Sequence, residues 1–128
     1  MKVKKVEHIG ISVKNMDETL KFYTDVLGIK SADIKTGGVP GRMKMATINL
    51  PGSGIELLQS LDPNAKPVQA DTIAHMAIEV EDIVEALRIL KGSGATLIHE
   101  KPMQLPTGRK VAFVIPKDSQ VSIELVED

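Results

Sequence analysis

The stretch His8-Ile-Gly-Ile-Ser-Val-Lys-Asn-Met recurs 67 residues later as His75-Met-Ala-Ile-Glu-Val-Glu-Asp-Ile. The overlay sets His8 on His75, Ile11 on Ile78, Val13 on Val80, Glu18 on Glu85 and Leu20 on Leu87. Each copy is answered downstream by a short apolar run with one carboxylate, Ile55-Glu56-Leu57-Leu58 and Ile123-Glu124-Leu125-Val126. The His-to-Glu separations are therefore 48 and 49 residues. Two copies at this period are too few and too long for a solenoid. A duplicated module folding into one domain with pseudo-two-fold symmetry is the economical reading.

The periodicities inside each copy specify the module. From Val6 to Val13 the aliphatic residues Ile9, Ile11 and Val13 alternate with His8, Gly10 and Ser12, the signature of a strand with one apolar face. Asn15 or Asp17 then offers a helix cap, and Met16, Leu20, Tyr23 and Leu27 recur at helical spacing up to Gly28. Met43 to Leu50 and Ile55 to Leu58 read as strands joined by the turn Pro51-Gly52-Ser53-Gly54. The second copy repeats the order: a strand from Ala74 to Val80, a helix capped by Asp82 and stopped at Gly92, then strands near Ala95–Ile98, Lys110–Ile115 and Val121–Val126. The expectation is an α+β fold of two tandem βαβββ modules. Module one covers about residues 4–60, a polar linker with Pro63 and Pro67 about 61–71, and module two about 72–128, together one domain over 1–128.

Composition enters mainly by exclusion. A net charge of −1 gives no electrostatic case for nucleic acid or an anionic membrane. One Tyr, two Phe and no Trp leave almost nothing for base stacking. Without cysteine there are no disulfides, thiolate nucleophiles or Cys-bound metals. The start Met-Lys-Val-Lys-Lys leads into no long apolar run, so neither a signal peptide nor a membrane span is expected, and a cytoplasmic protein is.

What remains is His8, Glu56, His75 and Glu124. Each histidine begins a strand whose next residues on the same face are small, Gly10 and Ser12 or Ala77, which leaves room beside the imidazole. Each glutamate sits inside an apolar strand, where a carboxylate either faces solvent or needs a partner. Facing one another across a pseudo-dyad, two imidazoles and two carboxylates form a nitrogen–oxygen site for one divalent transition metal ion. Co, Ni, Mn, Zn and Fe all suit that donor set. Four protein ligands on a six-coordinate ion leave two positions for water or substrate oxygens. His99 has no counterpart in the repeat and reads as a surface residue, and Lys2, Lys4 and Lys5 as a solvated start.

These stretches resemble the vicinal oxygen chelate superfamily of glyoxalases, methylmalonyl-CoA epimerases, extradiol dioxygenases and bleomycin-resistance proteins. The resemblance spans the chain. It is carried by Val6-Glu7-His8-Ile9-Gly10-Ile11, Phe22-Tyr23-Thr24-Asp25-Val26-Leu27-Gly28, Ile55-Glu56-Leu57-Leu58, His75-Met76-Ala77-Ile78-Glu79-Val80 and Ile123-Glu124-Leu125. Leu61-Asp62-Pro63 and Thr107-Gly108-Arg109-Lys110-Val111-Ala112-Phe113 are similar to methylmalonyl-CoA epimerases in particular. Ile115-Pro116-Lys117 departs from the His-Pro-Lys common there, and Arg42-Met43-Lys44 holds no carboxylate where one family member has its base.

The resemblance implies a curved mixed sheet, a homodimer and the four residues above as the metal ligands. It also implies proton transfer alpha to a carbonyl, either acyl-CoA epimerisation or, as alternative, glyoxalase-type lyase chemistry on a thiohemiacetal. By analogy with glyoxalase I, Glu124 is the expected base, with Lys44 a candidate on the opposite face. Arg42, Arg109 and Lys110, with Lys44, are candidates to bind the phosphates of an acyl-CoA. A metal-free small-molecule binding protein of the bleomycin-resistance kind is the contrasting reading, and the complete quartet argues against it.

Overall fold

The computed structural model describes residues 1–62, 72–119 and 121–128, so most of the expected linker lies outside the described residues. Two compact units are formed, Ile9–Ala74 and Met1–His8 together with His75–Asp128. The chain passes between them within its first strand, β1 (Val3–Ser12), and again within β5 (Thr72–Val80).

In the unit 9–74, α1 (Met16–Lys21) is followed by β2 (Ile34–Val39), β3 (Met43–Leu50) and β4 (Ser53–Ser60). The end of β1 pairs in parallel with β4, which pairs antiparallel with β3, and β3 with β2. Met16 packs on the apolar face formed by Val13, Ala46, Ile48 and Leu57, all buried. Asn15 caps α1 by accepting from the Glu18 N–H at 3.1 Å.

The helix does not continue regularly to Leu27 as its spacing predicts. From Phe22 to Val26 it widens into a π turn, with the Leu27 N–H donating to the Phe22 carbonyl, and Gly28 at φ +71° follows. Thr24 donates its hydroxyl back to the Leu20 carbonyl at 3.1 Å, a competition for backbone acceptors that bends helices. One extra residue in the turn rotates everything after it, so Tyr23 packs on the core while Leu27 is exposed.

The other unit repeats the order. β5 leads into α2 (Ile83–Lys91), then the short strands β6 (Thr96–Leu97) and β7 (Met103–Gln104), then β8 (Lys110–Ile115) and β9 (Ser122–Glu127). β5 pairs in parallel with β9, β9 antiparallel with β8, and β8 with both short strands. The unit 9–74 thus has the βαβββ order expected from the sequence, and the other has that order with one further short strand, β7, which the sequence did not signal. Ile83, Ala86 and Leu87 of α2 pack on Val80, Ala112, Val114 and Leu125. Side chains alternate across a sheet, so His75, Ala77 and Glu124 project from the face away from the helix.

The basic start is more than solvated. The Glu81 N–H donates to the Lys2 carbonyl at 3.0 Å, and Lys4 and Lys5 each reach within 3.8 Å of the buried Glu79 carboxylate. Among the described residues no helix is long and apolar enough to cross a membrane.

Asp82 repeats the Asn15 cap, accepting from the Glu85 N–H at 3.1 Å. Asp82→Ala is expected to destabilise the chain by about 1 kcal/mol, read as a lower urea midpoint at unchanged slope.

Candidate metal centre

The parallel register of β5 and β9 sets His75 opposite Ser122 and Ala77 opposite Glu124. Ala77 is fully buried and has only a methyl group, so it leaves the space in which the Glu124 carboxylate and the His75 ring meet. His8, at the end of the β1 segment belonging to this unit, brings its ring to the same point. His8 Nε2 lies 3.0 Å from His75 Nε2, and each of these nitrogens is 3.2 Å from Glu124 Oε2. The side chains of His8, His75 and Glu124 are 11%, 8% and 13% exposed.

Three atoms in a near-equilateral triangle cannot all be joined by linear hydrogen bonds, because a proton aimed at one corner points about 60° away from the next. A cation capping the triangle would satisfy all three at once. With metal–ligand distances of about 2.1 Å, adjacent donors around an octahedral ion lie about 3.0 Å apart and around a tetrahedral ion about 3.4 Å. The observed edges of 3.0–3.2 Å fall in the range these two geometries span, and the donor set suits a transition ion.

The surroundings tune these groups. Burial raises the Glu124 carboxyl, but hydrogen bonds from His75 and His8 and their charge overcome it and hold it at about 2. Glu124 is therefore ionised throughout the neutral range. Phe113, opposite Glu124 in the β8–β9 register, packs edge-on against His75 with centroids 5.6 Å apart. His99 is half-buried and no mere surface residue: its Nδ1 accepts from the Phe113 N–H at 3.1 Å, tying down the backbone behind that ring.

On its outer side His8 Nδ1 meets the Glu7 carboxylate, whose other oxygen takes Arg109 Nη1 at 3.1 Å. Sequence reasoning missed Glu7, because the repeat that singles out the histidines has Ala74 at the matching position. Arg109 Nε also binds Asp128 at 2.6 Å, so this guanidinium is committed to two carboxylates. Burial works against its charge, yet Asp128 and Glu7 raise it further above the ordinary arginine range. Lys110, half-buried, stands opposite Glu127.

The remaining candidates belong to the other unit. There Glu56 pairs with Gly10 of β1 and Thr47 of β3 and is half-buried. Gly10 follows His8 by two residues, as Ala77 follows His75, so both glutamates occupy the same register position in their modules. Arg42 and Lys44 are exposed, Lys44 opposite Gln59.

Residues 5–124 match the sequence profile of the Glyoxalase/Bleomycin resistance protein/Dioxygenase superfamily. This chain belongs to that superfamily. It is 30% identical to an ethylmalonyl-CoA/methylmalonyl-CoA epimerase from Cereibacter sphaeroides, over 89% of this chain and 90% of that protein. A lactoylglutathione lyase of Neisseria meningitidis is 26% identical over 91% and 94%. The crystal structure of methylmalonyl-CoA epimerase from Mycobacterium tuberculosis superposes with a TM-score of 0.79 at 27% identity, covering 98% of this chain and 88% of that one. The superfamily thus includes epimerases and lyases, and its fold is the one described above.

The Glu124 value carries a pH prediction for metal-free protein. A carboxyl at about 2 in the folded chain, against an ordinary 4.5, contributes stability that is complete above about pH 4.5 and lost as pH falls towards 2. In urea titrations from pH 6 to pH 2, the stability difference between wild type and Glu124→Gln is expected to hold above that range and shrink within it.

Proposed function

We propose that this protein is a metal-dependent enzyme that moves a proton at the carbon alpha to a carbonyl, as an acyl-CoA epimerase. The observation that carries the reading is the convergence of His8 Nε2, His75 Nε2 and Glu124 Oε2 within 3.0–3.2 Å. Glu56 is our fourth ligand, on the strength of its register position alone. A divalent transition ion held by His8, Glu56, His75 and Glu124 would act as a Lewis acid, drawing charge from a substrate carbonyl.

The chain's own residues would do the rest. Glu124 is ionised and can accept the alpha proton on a carboxylate oxygen. Facing both imidazoles it is a weak base, and moving away from them restores its proton affinity, since those contacts are what lower it. We assign the proton acceptor to Glu124, and Lys44, exposed in its unit, is our candidate to return a proton to the opposite face of the alpha carbon. Phe113 walls the His75 side and limits water there. Lys110, with Arg42 and Lys44, is our candidate for the phosphates of an acyl-CoA. Arg109, already shared by two carboxylates, is less suited to that role.

The test joins metal analysis to exchange. Purified protein is expected to hold one transition ion per chain and to exchange the alpha hydrogen of branched acyl-CoA thioesters for deuterium in heavy water. His8→Ala should lose the ion. Glu124→Gln should slow exchange by roughly 10²–10⁴-fold. Failure to take up Co, Ni, Mn, Zn or Fe overturns the reading. Turnover of a 2-oxoaldehyde–thiol adduct without acyl-CoA exchange would replace the epimerase with a lyase.

A further inference from the structure

The two modules cover the same part of their sheets differently. In the unit 9–74, Tyr23, Ile29 and Ile34 join Ile11 and Ile55 around the buried cluster on the helix side. Sixty-seven residues on, the first three positions are Leu90, Thr96 and Lys101. Leu90 still packs, but Thr96 and Lys101 are exposed, and the chain leaves α2 through the small residues Ser93-Gly94-Ala95. Ile78 and Ile123, the counterparts of Ile11 and Ile55, are left lining a cavity of about 230 Å³. It lies on the helix face of the sheet, whereas His75 and Glu124 project from the other.

The lining is apolar apart from Ser93 and Lys117. Ser93 has its hydroxyl committed, donating to the Leu90 carbonyl at 2.7 Å. Lys117 is thus the one charged group at the cavity. Gly94, at φ +89°, has no side chain, and a Cβ there would stand 3.2 Å from Lys117 Cδ. The lysine stem therefore lies against the bare glycine. Lys117 is exposed and makes no ion pair among the described residues, so its ammonium stays in water at the cavity edge.

Native interiors hold few voids larger than a water molecule. A dry apolar cavity of about 150 Å³ takes up benzene, so 230 Å³ has room for a longer hydrocarbon. Burying such a chain is favourable in proportion to its apolar area. A single cation at the edge selects an anionic end.

We propose that this cavity binds a medium-chain aliphatic carboxylate, its hydrocarbon over Ile78 and Ile123 and its carboxylate at Lys117. The site is separate from the metal centre and does not depend on that reading.

The experiment titrates octanoate and octanol into the full-length protein, followed by calorimetry and by melting temperature. Wild type should bind octanoate, and its melting temperature should rise with ligand concentration. From hexanoate to heptanoate to octanoate, each methylene should tighten binding about 4-fold. Lys117→Met keeps the stem and loses the charge, so octanoate should bind about 2–5-fold more weakly and octanol as before. Ala95→Leu fills the cavity and should abolish binding of both, with the melting temperature of the ligand-free protein unchanged or raised. His8→Ala should bind octanoate as wild type does.

A wild type that binds no octanoate, or an Ala95→Leu variant that binds it undiminished, overturns the proposal. Equal affinity for octanoate and octanol, untouched by Lys117→Met, overturns the carboxylate assignment. Loss of octanoate binding in His8→Ala would move the ligand to the metal centre and overturn the separate site. An oligomer that Ala95→Leu dissociates would give the cavity to a second copy of this chain. Should Ala95→Leu fail to fold, Lys117→Met and the chain-length series decide.

Discussion

The burial of two imidazoles and a carboxylate at one point on a sheet face is the constraint that organises this protein. Each group would lose its water there at a cost, and none is stable without partners. The neighbours answer that demand. Ala77 supplies only a methyl group beside Glu124, Phe113 shields His75, and Glu7 and Arg109 close the outer side of His8. Apolar residues would pack more simply in the same positions. Packing alone therefore does not account for these polar groups.

The duplicated module is how a short chain builds such a place. Each module pairs the strand that carries a histidine in parallel with the strand that carries a glutamate, and parallel pairs require a crossover, provided here by α1 and α2. The register is the same in both: the residue two past the histidine meets the glutamate. The one-residue difference between separations of 48 and 49 is therefore absorbed in the connections, because a slip within the strands would turn a glutamate to the opposite face.

Divergence is concentrated around the repeat rather than within it. Glu7 faces Ala74 in the overlay, and His99 has no counterpart, yet one contacts His8 and the other fastens Phe113 behind His75. The two histidines are thus alike in sequence context and unlike in surroundings.

The sequence by itself determined the module order, the faces of the strands, the cap at Asp82, and the residue types at the centre, and left the first cap between Asn15 and Asp17. These follow from local periodicity and from a repeat that compares the chain with itself. Tertiary structure alone decided the partners of those residues. No sequence pattern assigned Glu7 a role, whereas the fold joins it to His8 and adds Arg109 from more than a hundred residues away. Helical spacing carried the stripe on to Leu27, whereas a π turn rotates that residue out of the core. Three basic residues at the start read as solvated, whereas two of them bracket a buried glutamate. In each case a short-range pattern reports where a side chain points, and only long-range packing decides what it meets.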